Sequence, residues 1–191
     1  MKDTKILTAG DSSLLIQFGQ EISPEINAQI TAFVHLMREQ HVEGVTDVIP
    51  AFTSLLINYD PRVIDYRKLK RRLEKLLKLE VSKKASSSRI FEIPVCYGGE
   101  YGPDLENIAE HASLTTQEVI DIHSSSDYLI YMLGFLPGFS YLGGLDERIH
   151  TPRLANPRIK FLPEASASVV PRPVSIRWIP REDGSYWDLP R

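Results

Sequence analysis

Cysteine is nearly absent. Cys96 stands alone, so the chain forms no internal disulfide, and this usage fits a reducing compartment. Lying in a stretch of strand composition, Cys96 is expected to be buried filler rather than a nucleophile. Charge of one sign is also lacking. The balance of 22 basic against 25 acidic residues gives a net charge of -3, so neither a nucleic acid nor an anionic membrane is demanded as partner. No apolar run approaches the roughly 20 residues that span a bilayer. The opening Met1-Lys2-Asp3-Thr4-Lys5-Ile6 has no apolar leader region or cleavage signature, so a cytoplasmic location is expected. The five histidines fall at no metal-ligand spacing, and no Ser/His/Asp arrangement, Walker-type phosphate loop or repeat is present.

The distinctive stretch runs from Asp127 to Leu145. Tyr128, Leu129, Ile130, Tyr131, Met132 and Leu133 have strand composition. Gly134 and the Pro137-Gly138 pair then break it, because proline sets φ for the first corner of a turn and glycine accepts positive φ at the second. Phe135, Phe139 and Tyr141 surround the turn. Rings on such a bend make either a packed barrel corner or a wall for a ligand. Downstream, Arg153 and Arg158 each follow a proline, and a pair of guanidinium groups can hold a carboxylate or phosphate bidentately.

The N-terminal part reads as a small α/β unit. Lys5–Thr8 and Leu14–Phe18 are strands around Gly10-Asp11-Ser12. Ser23-Pro24-Glu25 starts a helix with a capping hydroxyl, a first-position proline and a first-turn acid. Ile26, Ile30, Phe33, Val34 and Met37 then recur at helical spacing. Val45–Ile49 and Ser54–Asn58 read as a hairpin with Pro50 at the bend. A second helix runs from about Asp65 to Leu79, apolar on one stripe and crowded with lysine and arginine elsewhere. That charged face is either simply solvated or a docking surface for an acidic partner. The order of elements predicts one sheet with both helices on one face. Residues 83–88 have linker composition.

The second half of the chain is expected to open with a strand over Arg89–Tyr97. A helix carrying Leu105, Ile108 and Ala109 inward follows, then a helix whose Thr115 and Glu118 match a capping box.

Several blocks together resemble the family of the 5-oxoprolinase B subunit, which includes the sporulation histidine-kinase inhibitor and allophanate hydrolase subunit 1. They are Gly10–Gly19, Ile93–Gly99, Gly102–Leu105, Gly134–Leu145, Thr151-Pro152-Arg153 and Pro157-Arg158, in order between Met1 and Lys160. The resemblance implies an α+β chain: a small N-terminal α/β domain over 1–82, a linker over 83–88, and a cyclophilin-like β-barrel domain that is only partial here, over 89–160. It implies the B subunit of an ATP-dependent 5-oxoprolinase, opening 5-oxo-L-proline to L-glutamate with subunits A and C. It implies ATP at the level of the complex and assigns it to no one subunit. The alternative it implies is an inhibitor of histidine-kinase autophosphorylation. It assigns no catalytic residue. A planar lactam bearing a carboxylate suits the aromatic bend and the arginines, so Gly134, Phe135, Pro137, Gly138, Phe139, Tyr141, Arg153 and Arg158 are the expected substrate-binding set.

Beyond Lys160 the family's glycine-rich barrel segment is missing, and prolines and arginines interrupt any strand reading. Codons permitted for Phe161–Arg191 run ttc ctg ccg gaa gcg tcg and onward. Read one base earlier, with a g in front, they spell Val-Pro-Ala-Gly-Ser-Val-Gly-Ile-Gly-Gly-Ala-Gln-Thr-Gly and, later, Pro-Gly-Gly-Trp-Gln, which is the family's sequence. Residues 161–191 are therefore expected to be an out-of-frame tail following a one-base deletion, never selected to fold and loosely packed.

Overall fold

The computed structural model describes residues 4–79, 89–99, 101–134 and 139–152. The chain divides into two compact units, Met1–Ile90 and Phe91–Arg191. The described part is a mixed helix-and-sheet, α+β structure, and no closed barrel is formed among the described residues.

In the first unit, β1 (Lys5–Thr8), β2 (Ser13–Gln17), β3 (Val45–Pro50) and β4 (Ser54–Tyr59) form an antiparallel sheet in the order β1-β2-β4-β3. Alternation decides which side is covered, since successive side chains point to opposite faces. Leu14, Ile16, Leu55, Ile57 and Tyr59 are buried on one face, against α1 (Pro24–Glu39) and α2 (Tyr66–Lys78). Pro50 closes β3, an edge strand, where a missing N–H costs the ladder least.

The helices sit where their termini dictate. Ser23 Oγ accepts from the Ile26 N–H at 3.2 Å, Pro24 opens α1, and Glu25 lies in its first turn. Hydrogen bonds from its own backbone and from Ser23 lower the Glu25 carboxyl below its ordinary pKa. α1 buries Ile30, Phe33, Val34 and Met37, and the Phe33 ring meets Phe18 edge-on at 5.9 Å. Asp65 caps α2 by accepting from the Lys68 N–H at 3.0 Å, and the helix buries Leu69, Leu73 and Leu76. Between α1 and β3, Gly44 sits at φ +81°, where a Cβ would lie 2.5 Å from Ile64 Cγ2. Both conformation and space therefore require glycine there.

In the second unit, α3 (Leu105–Ala112) and α4 (Thr116–Ser124) pack Ala109 and Val119 against Ile149 of a short 3-10 turn, Glu147–Ile149. The capping box forms: Thr115 Oγ1 accepts from the Glu118 N–H at 3.2 Å, and Glu118 Oε2 accepts from the Thr115 N–H at 2.7 Å. β5 (Leu129–Leu133) and β6 (Ser140–Gly143) form an antiparallel hairpin with an irregularity between Ile130 and Met132.

Two expectations are corrected. Arg89–Tyr97 is not a strand but irregular and largely exposed, with Ile90 at 79% and Ile93 at 56%. Alternating residues supply strand propensity, but a strand exists only where a ladder pairs it. No described strand pairs this segment, and Pro94 removes one donor. Cys96 follows its segment and is exposed rather than buried.

Candidate functional site

The β5–β6 hairpin carries the described ends of the stretch read as an aromatic elbow, Gly134 on one side and Phe139 and Tyr141 on the other. Its base is closed by the Gly134 N–H donating to the Phe139 carbonyl at 3.0 Å. Phe139 is buried, and its ring lies 4.9 Å from that of half-buried Tyr141 at an interplanar angle of 57°. Gly134 lies beside Tyr141, and a Cβ there would stand 3.6 Å from Tyr141 Cε2, an ordinary packing distance. At the other end of the hairpin, a Cβ on Gly143 would meet Tyr131 Cε2 at 2.5 Å, so the Tyr131 ring lies directly over Gly143. Gly134, Phe139 and Tyr141 are thus brought together. Phe135, Pro137, Gly138, Arg153 and Arg158 lie outside the described residues, as does the tail over 161–191.

Beyond β6 the chain is fixed by local polar contacts. Asp146 accepts from the Arg148 backbone N–H at 2.9 Å and from its guanidinium at 2.7 and 3.0 Å. The Arg148 hydrogen bonds hold the Asp146 carboxyl down at about 2. His150 Nε2 lies 3.2 Å from the Leu145 carbonyl.

A second cluster escaped sequence reasoning. The Tyr97 hydroxyl lies 2.5 Å from His123 Nδ1, and the Tyr128 hydroxyl donates to the His123 carbonyl at 2.7 Å. The Tyr97 and Tyr128 rings sit 5.6 and 5.4 Å from the imidazole. Burial lowers the His123 pKa and raises that of Tyr97. Tyr128 is pushed up to about 12 by burial, with the charges of Tyr97 and Asp146 adding to it. No local spacing announces a contact between residues 26 positions apart.

Among the described residues no group of three His, Cys, Asp or Glu could hold a metal ion. Gly98, Gly99 and Gly102 precede α3, as in a phosphate cradle, but Asp104 stands at its N-cap position, without a side-chain capping bond, and Glu106 in its first turn. Negative charge there disfavours a phosphate at that helix end. Residues 101–152 contain no lysine, and their one arginine, Arg148, is engaged by Asp146.

The family model described as carboxyltransferase domain, subdomain C and D, matches residues 4–169. This chain belongs to that family. Within it the chain is 44% identical over 159 residues to the 5-oxoprolinase B subunit of Bacillus subtilis (strain 168), covering 78% of this chain and 66% of that one. It is 33% identical over 175 residues to the 5-oxoprolinase B subunit of Escherichia coli O157:H7, covering 88% and 76%. The chain thus spans about two thirds to three quarters of the length of these two relatives. Among solved structures, TTHA0988 aligns with TM-score 0.73 and 29% identity over 87% of this chain, which spans 32% of that protein. Kluyveromyces lactis urea carboxylase aligns with TM-score 0.57 and 16% identity over 73% of this chain and 14% of its own, a likeness of fold.

Proposed function

We propose that this chain is the B subunit of an ATP-dependent 5-oxoprolinase, which opens 5-oxo-L-proline to L-glutamate together with subunits A and C. The observation that carries this reading is the 44% identity to the 5-oxoprolinase B subunit of B. subtilis. Ring opening adds water across the lactam amide: the C–N bond breaks, a second carboxylate forms and the amine is released. The carboxylates at the head of α3 disfavour a phosphate at that helix, and ATP is used at the level of the complex. On this reading the elbow at Gly134, Phe135, Pro137, Gly138, Phe139 and Tyr141 packs the flat face of the lactam, and Arg153 and Arg158 take its carboxylate. The chain works in the cytoplasm. Its N-terminal α/β domain spans 1–82 with a linker over 83–88. The region 89–160 is part of a cyclophilin-like barrel whose closing strands are replaced by an out-of-frame tail over 161–191.

Complementation tests the reading. A host lacking its own B subunit should regain growth on 5-oxoproline when given the gene with its frame restored after Lys160, and not when given the chain ending in the present tail. Failure of the restored gene, together with inhibition of a histidine kinase's autophosphorylation, supports the kinase inhibitor instead.

A further inference from the structure

The outer face of α2 is charged unlike those of the other helices. α1 has Glu25 in its first turn and Arg38 in its last, α3 has Glu106 and His111, and α4 has Glu118 and His123, each acid at the positive end of the helix dipole. α2 has its acid at the N-cap, Asp65, which accepts from the Lys68 N–H, while its first turn carries Arg67 and Lys68 and no acid. Its 13 residues include seven lysines and arginines and one glutamate, Glu74. The helix thus takes seven of the chain's 22 basic residues but one of its 25 acidic ones, leaving the remainder strongly acidic.

The cations also repel one another. Arg67 and Arg71, Lys68 and Arg72, and Arg71 and Lys75 are four apart on one helix, a spacing at which like charges destabilise. Little relieves them. Lys68 reaches Asp65 at 3.4 Å, Arg72 donates to the Gln40 carbonyl at 3.4 Å, and Lys70 stands 6.0 Å over the Tyr66 ring. Among the described residues Arg67, Arg71, Lys75 and Lys78 have no ion-pair partner, and all four are exposed. Local rules broken with no gain inside the fold mark positions kept for something outside it.

From this charge frustration on an exposed helix we infer that the outer face of α2 is a docking surface for the acidic face of another protein. The inference stands independently of the oxoprolinase reading. The class of partner follows from charge and burial. The apolar stripe of α2, Leu69, Leu73 and Leu76, is buried in the first unit, so the helix has nothing to insert into a bilayer. A nucleic acid runs on past a helix about 20 Å long, whereas a compact acidic epitope ends where the cations end. No exposed ring stands on this face to stack on a base, Tyr66 being half-buried beneath Lys70. An acidic helix repeats carboxylates at the spacing at which α2 repeats cations.

The test uses the full chain and a fluorescent helical peptide with glutamates four apart, read by anisotropy at low and physiological salt. A duplex DNA and vesicles containing phosphatidylserine serve as rival probes. The wild-type chain should bind the peptide more tightly than either rival, with affinity falling as salt rises past a Debye length of about 10 Å. Replacing Lys70→Glu, Arg71→Glu and Lys75→Glu together should weaken peptide binding by about tenfold or more, the sum expected for several exposed pairs. The same triple variant should melt no lower than wild type, because it relieves the repulsion. A control with the same charge change off the helix, Lys5→Glu, Arg38→Glu and Arg148→Glu, should bind as wild type. A glutamine series at the three α2 positions covers any folding defect in the glutamate variant. Equal loss in control and α2 variants, no salt-sensitive peptide binding, or tighter binding of DNA or vesicles would each overturn the inference.

Discussion

Gly143→Ala probes the hairpin that carries the aromatic elbow. A methyl group at Gly143 would stand 2.5 Å from Tyr131 Cε2, 3.2 Å from Cδ2 and 3.4 Å from Cζ. Carbon atoms at optimal separation lie about 3.5 to 4.0 Å apart, so the ring must move by roughly 1 Å or the strands must part. Overpacking of this kind costs typically 1–3 kcal/mol. If the hairpin opens locally, that cost speeds exchange of the β5–β6 amides by about 5- to 150-fold. Hydrogen–deuterium exchange with mass spectrometry reads it directly, with the sheet of the first unit as internal reference. Because the clash is with one ring, Tyr131→Ala should recover most of the loss in the double variant, a coupling that two independent substitutions would not show. Unchanged exchange in Gly143→Ala, or strict additivity in the double variant, would refute the packing of Tyr131 on Gly143.

Three further outcomes are expected. Ser23→Ala removes the acceptor for the Ile26 N–H, and should destabilise the first unit by about 1 kcal/mol, lowering its melting temperature by roughly 4–8 °C. His123 titrates below its ordinary value of 6.5 because burial disfavours the imidazolium, so the unfolded chain takes up a proton first as pH falls. The second unit should therefore hold its full stability above about pH 6.5 and lose it as pH drops toward the folded value. Tyr97→Ala, which uncovers one side of the imidazole, should weaken that pH dependence, and denaturation of both chains from pH 7.5 to 5 checks the sign. Sequencing the gene through the codons for Lys160 and Phe161 should reveal a missing base, or recover it in an independent isolate; an intact frame in confirmed DNA removes the explanation of the tail.

Much of the first unit was legible because its signals are local. Ser23-Pro24-Glu25 announces the start of α1, and the alternation of Leu14, Ile16, Leu55 and Ile57 fixes the buried face of the sheet. Thr115 and Glu118 announce α4 in the same way. What failed was long-range. Arg89–Tyr97 alternates like a strand, but alternation does not supply a neighbour, so the segment is irregular and Cys96 is exposed with it. The candidate site divides along the same line. Of the residues expected around a Pro-Gly turn, Gly134, Phe139 and Tyr141 lie together on the hairpin, while the turn itself lies outside the described residues. The packing of Tyr97 and Tyr128 around His123 was not readable, because it depends on where α4 ends relative to a segment 26 residues earlier. The charges of α2 were visible in sequence, but their conflict with one another counts only once the helix is seen to bury its other face.

The most direct measurement is glutamate formation from 5-oxoproline by the purified, frame-restored chain mixed with subunits A and C and ATP. Glutamate and 5-oxoproline-dependent phosphate release should both require this chain, and replacing Arg153→Ala with Arg158→Ala should raise the KM for 5-oxoproline well before it abolishes turnover. Glutamate produced equally well by A and C without the chain would contradict the account.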